Sequence, residues 1–182
     1  TLDKAALDAY TGWLTLVRAD VKQQEATAAR HALDAQHPAN YDRGRLVART
    51  SGKVLSGELG ATLVLAAANE QTEQQWRIEG VRAPGDQGAT TTFAIYNLAT
   101  QLVLDNSGQQ VAWQNLASQL WLLDSMGDGY YQLRSQQNNL VLTEQDGQLR
   151  MQAALPIGSP AVMQQQWWFE ALGEGKVNLI RT

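Results

Sequence analysis

The chain has 182 residues, 44% of them apolar, enough for the core of one ordinary domain plus an appendage. Charged residues make up only 18%, and a net charge of -4 with a pI of about 5.1 gives no electrostatic footing for nucleic acid or an anionic membrane surface. With no cysteine and only His31 and His37, the sequence excludes a disulfide framework, thiol catalysis and cysteine-ligated zinc. A histidine metal cluster or a Ser-His-Asp triad has almost no residues to draw on.

Residues 2–35 read as helix. Alanine is abundant, proline is absent, and apolar residues recur at helical spacing through Leu2, Ala6, Ala9, Trp13, Leu16 or Val17, and Val21. Thr11-Gly12 is a possible break, so one long helix and two shorter ones both fit. Beyond Gln23 the apolar face thins to alanines with Leu33, and Pro38 ends the segment because it disfavours helix for the residue before it. A narrow stripe on an otherwise polar helix predicts packing against something beyond itself, either the flank of the following domain or a preceding one. No apolar run approaches the roughly 20 residues of a bilayer span, so no membrane insertion is expected. No basic stretch leads into a short apolar core, so no signal peptide is expected here; the opening on Thr1 reads as a fragment or mature form.

From Arg43 the texture changes to apolar runs of four to six residues punctuated by Gly, Asn, Asp and Ser, the pattern of short strands. Gln-x-Trp occurs as Gln74-x-Trp76, Gln119-x-Trp121 and Gln165-x-Trp167, with the tryptophans 45 and 46 residues apart. A fixed period of that length signals an internal repeat. Three cycles of four strands follow: 45–49, 53–55, 62–66 and 75–78; then 93–96, 101–104, 110–113 and 120–123; then 130–134, 140–143, 148–151 and 166–169. Each closes on Trp-x-apolar (Trp76/Ile78, Trp121/Leu123, Trp167/Phe169), which places both residues on one inward face of a strand. The Gln two before each Trp lies on that side too, where a buried amide must find both donor and acceptor partners. Three such staples at equal intervals predict an all-β fold, a 12-stranded β-trefoil with an N-terminal α-helical segment. The division is 1–40 for the helical segment and linker and 41–182 for the trefoil, with repeats near 43–80, 88–125 and 128–172. A further run at 176–180 (KVNLI) matches the start of a cycle (FAIYN), so either it or residues 45–49 closes the barrel.

These residues resemble the ricin-type lectin family, β-trefoils with a Gln-x-Trp signature, over roughly residues 43–172. The resemblance implies carbohydrate binding in shallow pockets, one per repeat. An Asp ending the second strand accepts from sugar hydroxyls, an aromatic on the third strand stacks on the sugar's C–H face, and a polar residue before Gln-x-Trp completes the pocket. The middle repeat carries this pattern in part: Asp105 and Trp113, with Ser118 where Asn is usual, and Asn115 and Gln119 nearby. The first repeat has Ser56 and Leu65 or Ala66 instead. The third has Thr143 and Met151, with Glu144 as a substitute acid. Asp105-Asn106-Ser107-Gly108 also reads as a plain turn in which Asp caps its own backbone, and Trp113 as a core or barrel-end cover. Trp168 alternates outward from Trp167 and reads as a surface contact or as packed under the helix.

Catalysis has little to stand on. Asp86, Asp124, Asp128, Glu144, Asp146, Glu170 and Glu174 are scattered, several in turn contexts, whereas a glycosidase needs two carboxylates across a cleft. No phosphate-binding Gly loop, HExxH or GxSxG occurs, and no cofactor or metal is expected. The expectation is a non-catalytic carbohydrate-binding module of a larger exported bacterial glycan-acting protein, located outside the cell, in the periplasm or at the cell surface, with an adjoining catalytic domain. A trefoil kept for protein contacts or spacing is the competing reading. A protease-inhibitor trefoil is a third, for which no disulfide-held reactive loop exists.

Overall fold

The computed structural model describes residues 3–33, 37–82, 87–88 and 91–173, with side chains at all of these except 27–33. Helix α1 runs unbroken over Lys4–Leu33. The backbone passes straight through Gly12, with Thr11 and Thr15 hydroxyls donating to the carbonyls of Leu7 and Thr11 (2.9 Å each). Residues 3–26 are all exposed except Leu14, which is half-buried, so the apolar stripe of Leu7, Tyr10, Trp13, Val17 and Val21 lies largely open.

The described residues then form twelve strands: β1 (Gly44–Ala48), β2 (Val54–Ser56), β3 (Val64–Ala66), β4 (Trp76–Val81), β5 (Thr92–Asn97), β6 (Val103–Leu104), β7 (Gln110–Val111), β8 (Trp121–Gly127), β9 (Tyr130–Ser135), β10 (Leu140–Gln145), β11 (Gln148–Ala153) and β12 (Trp167–Ala171). Strands β1, β4, β5, β8, β9 and β12 pair antiparallel in a closed ring of six. Hairpins β2–β3, β6–β7 and β10–β11 hang from that ring, one per repeat. Closure falls to β1, whose five residues pair with β12 from Gly44↔Ala171 to Ala48↔Trp167. Residues 176–180, the other closing strand expected from sequence, lie outside the described residues.

The three tryptophans occupy equivalent places. Each is at most 1% exposed, and each indole Nε1 donates 2.9 Å to the carbonyl of the residue ending the inward run of its repeat's second strand: Trp76 to Leu55, Trp121 to Leu104, Trp167 to Leu142. The glutamines are as alike. Gln74, Gln119 and Gln165, each 1% exposed, donate from Nε2 to Ala67, Ala112 and Ala153 carbonyls (2.9, 2.6 and 2.8 Å). Their Oε1 atoms accept the N–H of Asn69, Gln114 and Leu155 (2.7, 2.8 and 2.7 Å). Each Gln is delivered by a 3-10 turn, Thr72–Gln74, Ala117–Gln119 or Val162–Gln165. One amide thus satisfies two backbone groups of a connection that no strand could pair.

Around the indoles the core repeats in layers: Leu46, Ile95 and Leu133; Leu55, Leu104 and Leu142; and Ile78 with Phe169. The far end of the barrel is filled from the linker. His37 caps a 3-10 turn at Pro38–Asn40, its ring 4.7 Å from Phe93 and 6.1 Å from Tyr131, and Tyr41 lies 6.3 Å from Phe169.

Several strand extents depart from the sequence reading, two of them at residues whose side-chain bonds show the cause. β7 stops at Val111 rather than Trp113, because the Gln119 side chain captures Ala112 and Gln114 and pulls the backbone off the ladder. β8 runs on to Gly127 rather than ending at Leu123, because Arg134 on β9 pairs with Asp124 through two bonds (2.6 and 3.1 Å).

Candidate functional site

The indole bonds fix which residues correspond across repeats. Counting one residue past Leu55, Leu104 and Leu142 gives Ser56, Asp105 and Thr143, the acidic position of each repeat. Ser56 is 6% exposed and Thr143 0%, Thr143 turning its hydroxyl back to the Val141 carbonyl. Asp105 is half-exposed. Among the three only the middle one offers an accessible carboxylate. Its Oδ1 accepts Ser107 N–H (2.9 Å), so it does cap its own turn, as the motif allows, and among the described residues it is held through that oxygen alone.

Asn106 N–H donates to the Ser118 carbonyl (2.8 Å), which draws Ser118, just before Gln119, against the residue following Asp105. Asn106 is itself fixed by its amide Nδ2 donating to Gln137 Oε1 (2.8 Å) and Ser135 Oγ (3.3 Å) of the next repeat. Asp105 and Ser118 therefore flank one seam. Asn115 is exposed, in the left-handed region at φ 54°, turning the 112–116 connection around the Gln119 side-chain Oε1, which also accepts Leu116 N–H (3.5 Å).

Gln119 is buried with both ends engaged, so it positions the loop rather than facing a ligand, a correction to its place among the contact residues. Trp113 sits beyond the end of β7, half-buried, its ring 6.0 Å from Tyr96 at 48°. Tyr96 in turn carries Arg77 over its face (5.3 Å). Tyr96 and Arg77 belong to the neighbouring wall, and nothing in their local sequence marks them; only tertiary packing adds them.

In the third repeat Glu144 is 4% exposed and Met151 packs against the core. Of the other carboxylates, Asp124 and Glu170 are taken by Arg134 and by Arg45 (3.0 Å), and Asp128 and Asp146 sit at positive φ in turns. Asp86 and Glu174 lie outside the described residues. Among the described residues no three His, Asp or Glu side chains gather as a metal site, and no helix is long and apolar enough to cross a membrane. Trp168 is half-buried in the outer ladder between Val47 and Tyr130.

Residues 72–157 match the family model described as ricin-type beta-trefoil lectin domain-like. No curated protein sequence matches the chain. Among solved structures, the designed threefold-symmetric protein ThreeFoil aligns with a TM-score of 0.59 at 23% identity, over 72% of this chain and 99% of its own. A Polyporus squamosus lectin, solved with the influenza-binding epitope Neu5Aca2-6Galb1-4GlcNAc, aligns at 0.58 and 14% identity, over 73% of this chain and 50% of the lectin. The exo-beta-1,3-galactanase 1,3Gal43A of Clostridium thermocellum aligns at 0.58 and 23% identity, over 75% of this chain and 32% of the enzyme. The chain thus spans half of that lectin and a third of that enzyme, and at such identities the likeness is one of fold. By its closed six-stranded ring and its three equivalent indoles the chain folds as a β-trefoil, and residues 72–157 of it match the ricin-type, lectin-like family model.

Proposed function

We propose that this trefoil is a non-catalytic carbohydrate-binding module whose working site is the middle repeat. The observation that carries the reading is the contrast at one equivalent position: a half-exposed carboxylate at Asp105, against a buried Ser56 and a buried Thr143. Asp105 accepts from vicinal sugar hydroxyls, Ser118 and Asn115 border the pocket, and the Trp113 ring supplies the flat apolar surface. A single shallow site binds weakly, which suits a module tethered beside a catalytic domain, where effective concentration raises occupancy. On this reading the module serves an exported bacterial glycan-acting protein and meets its polysaccharide outside the cell, in the periplasm or at the surface. The galactanase, of which this chain aligns with about a third, lends that arrangement support by example.

Affinity electrophoresis in galactan and other polysaccharide gels tests it. Asp105→Ala and Trp113→Ala are each expected to weaken retardation about tenfold or more, because each removes a hydrogen-bonding charge or a stacking face worth one to two kcal/mol. Parent-like retardation of both variants would remove the middle repeat as the site. The open apolar face of α1 favours a second reading, a contact surface for another domain, which gains if no glycan retards the parent.

A further inference from the structure

The tips of the three hairpins do not close on one another. Between them lies a cavity of about 420 Å³, within the range of small-ligand sites, lined by residues 62–65 of the first repeat, 107–109 of the second and 147–150 of the third. The three tips differ in build. The third is a tight two-residue turn with Asp146 and Gly147 both at positive φ (53° and 74°), the second a five-residue turn at 105–109, the first a longer loop before β3.

We propose that this cavity is a second ligand site, separate from the Asp105 seam, and that it takes a carboxylated sugar unit of the uronic acid class. Leu63 is 6% exposed, and it forms the floor with Leu65 and Leu149, which pack against the core; an apolar floor of this kind suits the C–H face of a pyranose. Gln109 and Gln148 bring amides that donate and accept, as ring hydroxyls require. Among the described residues Arg150 is the only charged one in the lining. It is exposed, and its Nη2 reaches Gln148 Oε1 only at 3.4 Å, so the guanidinium keeps donors for a carboxylate. The nearest carboxylates in the sequence, Glu144 and Asp146, do not line the cavity, although Glu144 shares Leu149's rung of the hairpin.

Calorimetric titration with methyl glucuronide and methyl glucoside, on the parent, Arg150→Gln and Asp105→Ala, tests the assignment. The parent is expected to favour the glucuronide about tenfold, the worth of one charge-assisted bond, with the preference shrinking as salt is added. Arg150→Gln, an exposed change that removes the guanidinium, erases the preference, whereas Asp105→Ala, which removes binding at the middle repeat, does not abolish it. Amide shifts on titration gather at 62–65, 107–109 and 147–150. Absence of preference in the parent, or its survival in Arg150→Gln, overturns the proposal. Loss only in Asp105→Ala overturns it too, by moving the acidic sugar to the middle repeat. The Asp105 reading fails by a different result, polysaccharide retardation unaffected by Asp105→Ala.

Discussion

Asp105, Ser56 and Thr143 stand at one position in three copies of the same unit, and burial separates them. A carboxylate held by one backbone N–H and half-exposed can exchange water for sugar hydroxyls. A hydroxyl at 0% exposure that already donates to Val141 cannot. His37 is a residue whose protonation depends on its surroundings. Its Nδ1 accepts Ala39 N–H (3.1 Å), which requires that nitrogen to be unprotonated, and its ring lies against Phe93. Burial lowers its pKa from the ordinary 6.5. The neutral form is therefore favoured by folding, and the unfolded chain binds the extra proton first. The stability His37 contributes is complete above pH 6.5 and is lost as the pH falls through its depressed folded value. Urea unfolding at pH 7.5 and pH 5 is expected to show a drop in midpoint that is smaller in His37→Asn, which keeps a capping acceptor without the titration.

At the scale of elements, the barrel is closed where small meets large. Gly44 begins β1, and a Cβ there would lie 2.7 Å from the Glu170 carbonyl and closer still to the Phe169 ring. Phe169 fills the place that Ile78 holds in the first repeat, so the larger ring on β12 is accommodated by the missing side chain on β1. Gly44→Ala is expected to cost about 1–3 kcal/mol through forced displacement of that pair, read as a lower urea midpoint with an unchanged slope. The hairpins show how a side chain can end a strand. Gln119 satisfies Ala112 and Gln114, so β7 has no ladder to continue and Trp113 leaves the sheet to rest on Tyr96. That is why a strand reaching Trp113 could be read from the alternation of apolar residues and yet does not form.

Across the whole molecule, the trefoil and α1 hold together by different means. The barrel has layered apolar contacts and backbone pairing in every repeat, whereas residues 3–26 of α1 contribute almost nothing buried. A chain beginning at His37 is expected to melt within about 3 °C of the parent, since none of the described residues it loses belongs to the core and the linker plug remains. Differential scanning calorimetry of the two chains checks this; a fall of 8 °C or more would show that α1 is part of the folded unit.

The sequence by itself determined the architecture, because three Gln-x-Trp units at equal spacing in a chain of short apolar runs allow few ways of burying three indoles and three amides. It also pointed to Asp105, since a carboxylate at a strand end is visible in the letters. It left open whether 45–49 or 176–180 closed the barrel, and the register of β1 against β12 answered in favour of the first. Only the tertiary structure decided which acidic position stays open to solvent, which backbone groups take up both ends of the Gln119 amide, that Trp113 leans on Tyr96, and that a hollow lies between the three hairpin tips. The division has a physical reason. Periodicity is a property of neighbours along the chain, whereas exposure, tilt and cavities depend on side chains brought together from repeats some 45 residues apart.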